Sequence, residues 1–165
     1  MGGSDVLGRI EEQNKAIIRR WIEAENKKDL SLLDEFVAPD FFDHAHQLKG
    51  LEEYKQFITT LRKGYPDFQE TIEDIIAEGD KVWVRFTFTG THTGESQEYL
   101  PSIGKITLPP TGKKFTISLV DAFRIVDGKV VDWMWEIYDG FDFLKQLGLI
   151  EYTGKAKKLL PEKNP

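Results

Sequence analysis

The chain contains no cysteine among its 165 residues, so disulfides, thiol nucleophiles and thiolate metal sites are excluded together. Histidine is scarce, with three residues, and basic residues are outnumbered: 22 Lys and Arg against 28 Asp and Glu give a net charge of -6. Nucleic-acid binding draws its affinity from clustered cations on phosphate, so such a partner is not expected. No long apolar run is present, and the start Met1-Gly2-Gly3-Ser4-Asp5 has neither a basic nor an apolar stretch. The expectation is a cytoplasmic protein without membrane contact. Glycine-rich phosphate loops, serine elbows and zinc signatures are also missing, which removes nucleotide and serine-hydrolase readings.

What remains is an ordinary globular composition, 40% hydrophobic and 30% charged, with 12% aromatic residues that favour a large or cavity-lined core. The length fits one domain, residues 1–165, with a core of about 10–150 and extensions at 1–9 and 151–165. Ile10, Ile17, Ile18, Trp21, Ile22 and Ala24 make a helical stripe, Leu30 to Val37 reads as a short helix, and Leu51, Tyr54, Phe57, Ile58 and Leu61 mark another. Beyond Pro66 the period drops to two. Residues 68 to 93 read as a hairpin turning at Glu78-Gly79-Asp80, and residues 115 to 138 as a second turning at Asp127-Gly128-Lys129. Between them, 94 to 113 is a long connection rich in Gly and Pro, and a short helix follows at 141 to 147. Helices first and an antiparallel sheet after predict an α+β fold, a curved sheet wrapped around N-terminal helices and enclosing a cone-shaped cavity.

One residue breaks the pattern. Phe115, Ile117, Leu119, Phe123 and Ile125 share a strand face, and Asp121 falls in phase with them. A carboxylate there must be paired, hydrogen-bonded, protonated or beside a pocket, because burying it unsatisfied costs several kcal/mol, roughly. Either it props the sheet against Arg85 or Arg124, or its apolar walls raise its pKa so that it moves protons next to a carbonyl.

His92 is in phase with Val84, Phe86 and Phe88, which would carry its ring into the same cavity as a donor to an enolate oxygen; otherwise it is a turn histidine between Gly90 and Gly94. His44 and His46 share one side of an extended segment while Asp43 alternates away, so no metal is expected there and His44 is assigned to the pocket wall. Trp21, Leu119, Phe88, Trp135 and Tyr138 complete the candidate substrate-binding set, against the reading of plain core. Trp83 and Trp133 are set apart from these: Trp83 is out of phase with its strand's apolar face and marks an outer surface whose large apolar residues suit a homodimer. Epoxide hydrolysis would need an arginine between two pocket carboxylates, and Arg85 is on the wrong phase for it.

The stretches Leu33-Asp34-Glu35-Phe36-Val37-Ala38-Pro39-Asp40-Phe41 with Asp43-His44, Tyr65-Pro66-Asp67-Phe68, Ile76 to Val82, Gly90-Thr91-His92-Thr93-Gly94-Glu95, Pro109 to Lys113 and Asp121 to Val130 appear in one order across the chain. In these, residues 14 to 148 resemble the SnoaL-like polyketide cyclases of the nuclear transport factor 2 superfamily. The resemblance implies a cone-shaped α+β barrel and a cofactor-free intramolecular aldol cyclase or isomerase, with Asp121 as acid/base and His92 in the pocket. The substrate would be a small apolar or aromatic carbonyl compound. A binding protein holding such a metabolite unchanged is the alternative.

Overall fold

The computed structural model describes residues 3–100 and 104–154. Helix α1 (Gly3–Asn26) starts well before the expected residue 10, so part of the supposed extension is helical. Its buried stripe, Ile18, Trp21, Ile22 and Glu25, follows helical spacing. Polar contacts at two places lock α1 to the sheet: at Gly79, whose carbonyl accepts from Asn14 Nδ2 and whose N–H donates to Glu11 Oε1, each at 3.0 Å, and at Glu70, whose backbone Asn26 both donates to and accepts from. The second contact covers a strand that would otherwise leave its edge unpaired.

Residues Leu30–Glu35 form a 3₁₀ turn where a short helix is expected, and β1 (Val37–Asp43) and β2 (Leu48–Lys49) follow. Helix α2 (Leu51–Gly64) buries Leu51, Tyr54 and Ile58. Then come β3 (Gln69–Glu78), β4 (Lys81–Thr91), the ribbon β5 (Ser96–Leu100) and β6 (Gly104–Leu108), β7 (Lys114–Val126), β8 (Lys129–Tyr138) and α3 (Gly140–Gln146). Six strands make one sheet in the order β2-β1-β8-β7-β4-β3, antiparallel except for the β1–β8 pair, while β5 and β6 stand apart. This is the expected α+β architecture.

Strands β4 and β7 pair without interruption from Lys81↔Arg124 to Thr91↔Lys114. Alternation therefore holds: Val82, Val84, Phe86 and Phe88 face inward with Phe115, Ile117, Leu119, Asp121 and Phe123. Strand β8 is different. Its pairing with β7 slips between Ala122 and Phe123 and again between Arg124 and Ile125, leaving Met134 and Val131 as extra residues. Val130, Trp133, Glu136 and Tyr138 consequently turn inward, and Trp135 is left 59% exposed on the outer side.

Two glycines bring the ribbon onto the end of α2. A side chain at Gly94 would sit 2.0 Å from the Lys63 carbonyl oxygen, and one at Gly64 would sit 2.5 Å from Ser96 Cβ. Only a residue lacking Cβ permits either approach. The long connection is thus pinned beside Tyr65.

Candidate functional site

The concave side of the sheet, α2, α3 and the ribbon enclose a cavity of about 60 Å³. Phe86, Phe88, Ile117, Leu119, Trp133 and Phe143 supply its apolar wall, and Glu25, His46, Glu70, Glu98, Glu136 and Tyr138 its polar one. A wider basin of about 320 Å³ adjoins it, sharing His46, Phe57, Glu98 and Tyr99 and adding Glu53, Gln56 and Lys105. Since a single water needs about 10–15 Å³ by the same measure, the inner cavity admits only a few heavy atoms. A larger molecule would place its reacting end inside and its body in the basin.

Asp121 is 1% exposed and makes no ion pair. Its Oδ1 atom is buried with no hydrogen-bond partner. Neither arginine weighed for it takes that role: Arg124 pairs with Asp132 at 2.6 Å, and Arg85 lies on the exposed phase of β4. In register, Asp121 faces Val84 on one side and Glu136 on the other. Burial, reinforced by the charges of Glu136, Asp43 and Glu25 and opposed by His46, pushes its pKa well above the usual carboxylate range. Asp121 is not itself among the lining residues. Its strand neighbour Leu119 and its cross-strand partner Glu136 are, so it lies just beneath the floor.

His46 forms the cationic side of this floor. Strand β1 ends at Asp43, and a turn through residues 44–47, with Gln47 at φ 60°, brings His46 back over the aspartate. The His46 backbone N–H donates to Asp43 Oδ1 at 2.9 Å, His46 Nδ1 lies 2.8 Å from Asp43 Oδ2, and Nε2 lies 3.4 Å from Glu136 Oε2. Burial alone would strip the ring of its proton, but Glu136 and Asp43 outweigh that and raise its pKa well above the ordinary histidine value. An imidazolium held between two carboxylates, packed against Phe57 and Trp133, results.

At the helix side, Glu25 accepts from Trp21 Nε1 and from the Tyr54 hydroxyl. Glu70 lies against it with Oε2 unpartnered. Desolvation raises both, and Glu70 more, because Glu25 has two fixed donors and Glu70 faces the charge of Glu25. Glu98, on β5, accepts from the Tyr65 hydroxyl at 2.7 Å. Burial raises its pKa to about 7, with Tyr65 and Ser96 holding it down and Glu136 pushing it up.

Several predicted residues stand elsewhere. Leu119, Phe88 and Tyr138 line the cavity as expected. His92 does not: β4 ends at Thr91, the His92 N–H bonds the Lys113 carbonyl, and its ring is buried against Tyr65 with Thr111 and Ser96 as partners. Its ring is not part of the cavity wall. His44 is half exposed, edge-on to the Phe42 ring and 3.4 Å from Asp132, because the turn after Asp43 sends the two histidines apart. Trp135 points outward because of the β8 bulges. Trp21 sits behind the wall as a donor to Glu25. Asp43, expected on the opposite side from His46, is its bonded partner.

His46 as a charge, Glu136, Glu25, Glu70 and Glu98 were not marked as site residues by sequence reasoning. For Glu25 a signal existed: it continues the Ile18, Trp21, Ile22 stripe at helical spacing. For Glu136 a signal existed as well: it lies two residues before Tyr138 in an unbroken stretch of β8 and so falls on the same strand face.

A model of the SnoaL-like polyketide cyclase family matches residues 15–147. Aklanonic acid methyl ester cyclase DauD of Streptomyces sp. (strain C5) is 29% identical over 140 residues, covering 80% of each chain. Among solved structures, TsrD from Streptomyces laurentii matches with a TM-score of 0.71 and 25% identity, over 84% of this chain and 97% of its own. IdmH from Streptomyces antibioticus, a candidate polyketide cyclase, matches with a TM-score of 0.65 and 31% identity, over 82% and 99%.

Proposed function

The chain belongs to the SnoaL-like polyketide cyclase family, and from that premise we propose that it closes a ring in a small carbonyl compound by intramolecular aldol condensation, without metal or organic cofactor. The observation that carries the reading is Asp121: a buried carboxyl with one oxygen unpartnered, no ion pair of its own, and Glu136 opposite it on the cavity floor. Asp121 and Glu136 act as one proton-holding unit. Glu136 presents the unit to the substrate, and Asp121 supplies its high proton affinity.

The unit takes a proton from the carbon next to a carbonyl. The His46 imidazolium, fixed by Asp43, stabilises the enolate oxygen, a role worth roughly 3 kcal/mol of barrier for a well-placed donor. The nucleophilic carbon then bonds to a second carbonyl carbon, whose oxygen takes up a proton. His46 thereby replaces His92 as the oxyanion partner. Apolar walls suit a flat, apolar or aromatic body, and the ring of acids disfavours an anionic reacting end.

The same reading includes a cytoplasmic homodimer, formed across the outer sheet face where Ile76, Trp83, Trp135 and Ile137 are exposed. Among the described residues, no helix is long and apolar enough to cross a membrane. Trp83→Glu should give monomers by light scattering; a surviving dimer would place the interface elsewhere.

For the chemistry, the probe is aklanonic acid methyl ester, the compound in the name of the DauD relative. Asp121→Asn should keep the circular-dichroism spectrum and slow ring closure about 10²- to 10⁴-fold, the usual weight of a positioned acid/base group. Turnover within a few-fold of the parent protein would remove Asp121 from the mechanism.

A further inference from the structure

The cyclase reading leaves one proton unassigned, the one taken up by the oxygen that ring closure creates. The floor is poorly suited to supply it, because Asp121 and Glu70 each have a buried oxygen with no donor, and burial makes both hold a proton more tightly than an ordinary carboxyl. The mouth holds another acid. Glu98 is shared by the inner cavity and the outer basin, so any molecule spanning the two passes it.

Glu98 is also the end of a chain of hydrogen bonds. Tyr65 O–H donates to Glu98 Oε1 at 2.7 Å; with its hydrogen so used, Tyr65 accepts from Ser96 Oγ at 2.8 Å. Ser96 Oγ in turn lies 3.3 Å from His92 Nε2, and His92 Nδ1 lies 3.3 Å from Thr111 Oγ1. Burial lowers the His92 pKa, so the ring is neutral and has one N–H to give. Every link is fixed by the backbone: Gly64 and Gly94 let β5 press on the end of α2, and His92 is clamped by the backbone of Thr111, Gly112 and Lys113.

We propose that Glu98 is a second proton-transfer group, placed at the mouth of the cavity across from the Asp121–Glu136 floor, and that Tyr65, Ser96 and His92 position it through this hydrogen-bond chain. The proposal rests on the cyclase reading and adds the donor to it. As the carbon–carbon bond forms, the carbonyl π electrons move onto oxygen, and that oxygen takes the proton of the Glu98 carboxyl. Glu98 is left as a carboxylate, stabilised by the Tyr65 hydroxyl. The floor unit has gained the proton from carbon, and exchange with solvent restores both groups. His92 is thus a positioning residue, which gives the Gly90 to Gly94 motif a role without contact with the substrate.

Charged and titratable groups around Glu98 are His46, Glu136 and Tyr138 on the cavity side, Tyr65 on the α2 end, and Glu53 and Lys105 on the basin side. Among these, Glu136 raises the Glu98 pKa and His46 lowers it, while the Tyr65 hydroxyl donates to the carboxylate and Ser96, donating to Tyr65, also favours the ionised form. Removing a donor should therefore move the titration up.

The experiment is a carbon-13 NMR titration of the full chain with labelled glutamate carboxyls between pH 5 and 9. One carboxyl should titrate at about 7 and vanish in Glu98→Gln. Tyr65→Phe should move that midpoint upward, and Ser96→Ala should move it the same way. An unchanged spectrum in Glu98→Gln, or a midpoint that stays or falls in Tyr65→Phe, would overturn the proposal. With aklanonic acid methyl ester as probe, Glu98→Gln should abolish the fall in rate above pH 7, whereas Asp121→Asn slows the reaction at every pH. Absence of turnover by every form would count against the cyclase reading on this compound, and the NMR titration would still decide whether Glu98 carries the proton.

Discussion

The floor and the mouth of the cavity are built from the same residue type and behave differently. Asp121 and Glu70 each have a buried oxygen with no donor, whereas Glu98 receives a phenol hydrogen bond backed by a serine and a histidine. Desolvation raises all three. Only at the mouth do fixed donors pull the value back toward neutrality. The number of donors aimed at a buried carboxyl, more than its depth, decides whether it stores a proton or releases one.

The comparison can be broken through stability. A group whose folded pKa is raised keeps its proton while the unfolded chain releases it. Its contribution is therefore complete below the unfolded value, 3.8 for Asp and 4.5 for Glu, and is lost as pH rises through the folded value. Melting temperature should fall as pH climbs from 4, with His46, also raised, adding to the fall above its ordinary 6.5. Neutral replacements escape their own share of this loss. Thermal scans from pH 4 to 9 should show the largest gain over the parent protein for Asp121→Asn. A smaller gain is expected for Glu70→Gln, which gives up its contact with Glu25, and the smallest for Glu98→Gln, levelling off near pH 7. Equal gains at all three sites would erase the distinction between floor and mouth.

The inward position of Asp121 was legible in the sequence because β7 pairs with β4 over its whole inner register, and an unbroken ladder preserves a period of two. Strand β8 was not legible as a whole. Its two bulges put Trp133, Glu136 and Tyr138 inside and Trp135 outside, a spacing that no strict alternation produces. The same limit hid His46. Read as an extended segment, residues 43 to 46 separate Asp43 from His46; folded as a turn, they join them through two hydrogen bonds. The order of helices and hairpins was readable from periodicity and turn residues, since these are local properties. Glu98 was invisible for the opposite reason. It is placed by Gly64 and Gly94, whose close contact links segments 30 residues apart, and nothing local to β5 announces it.

The account stands on a carboxyl at position 121 that keeps its proton where an ordinary aspartate has lost it. Carbon-13 NMR of the protein labelled at aspartate carboxyls, followed from pH 3 to 9, observes this directly. The prediction is one aspartate resonance titrating well above the common range near 3.8 and missing from Asp121→Asn. A spectrum in which every aspartate, Asp121 included, has ionised by pH 5 would contradict it.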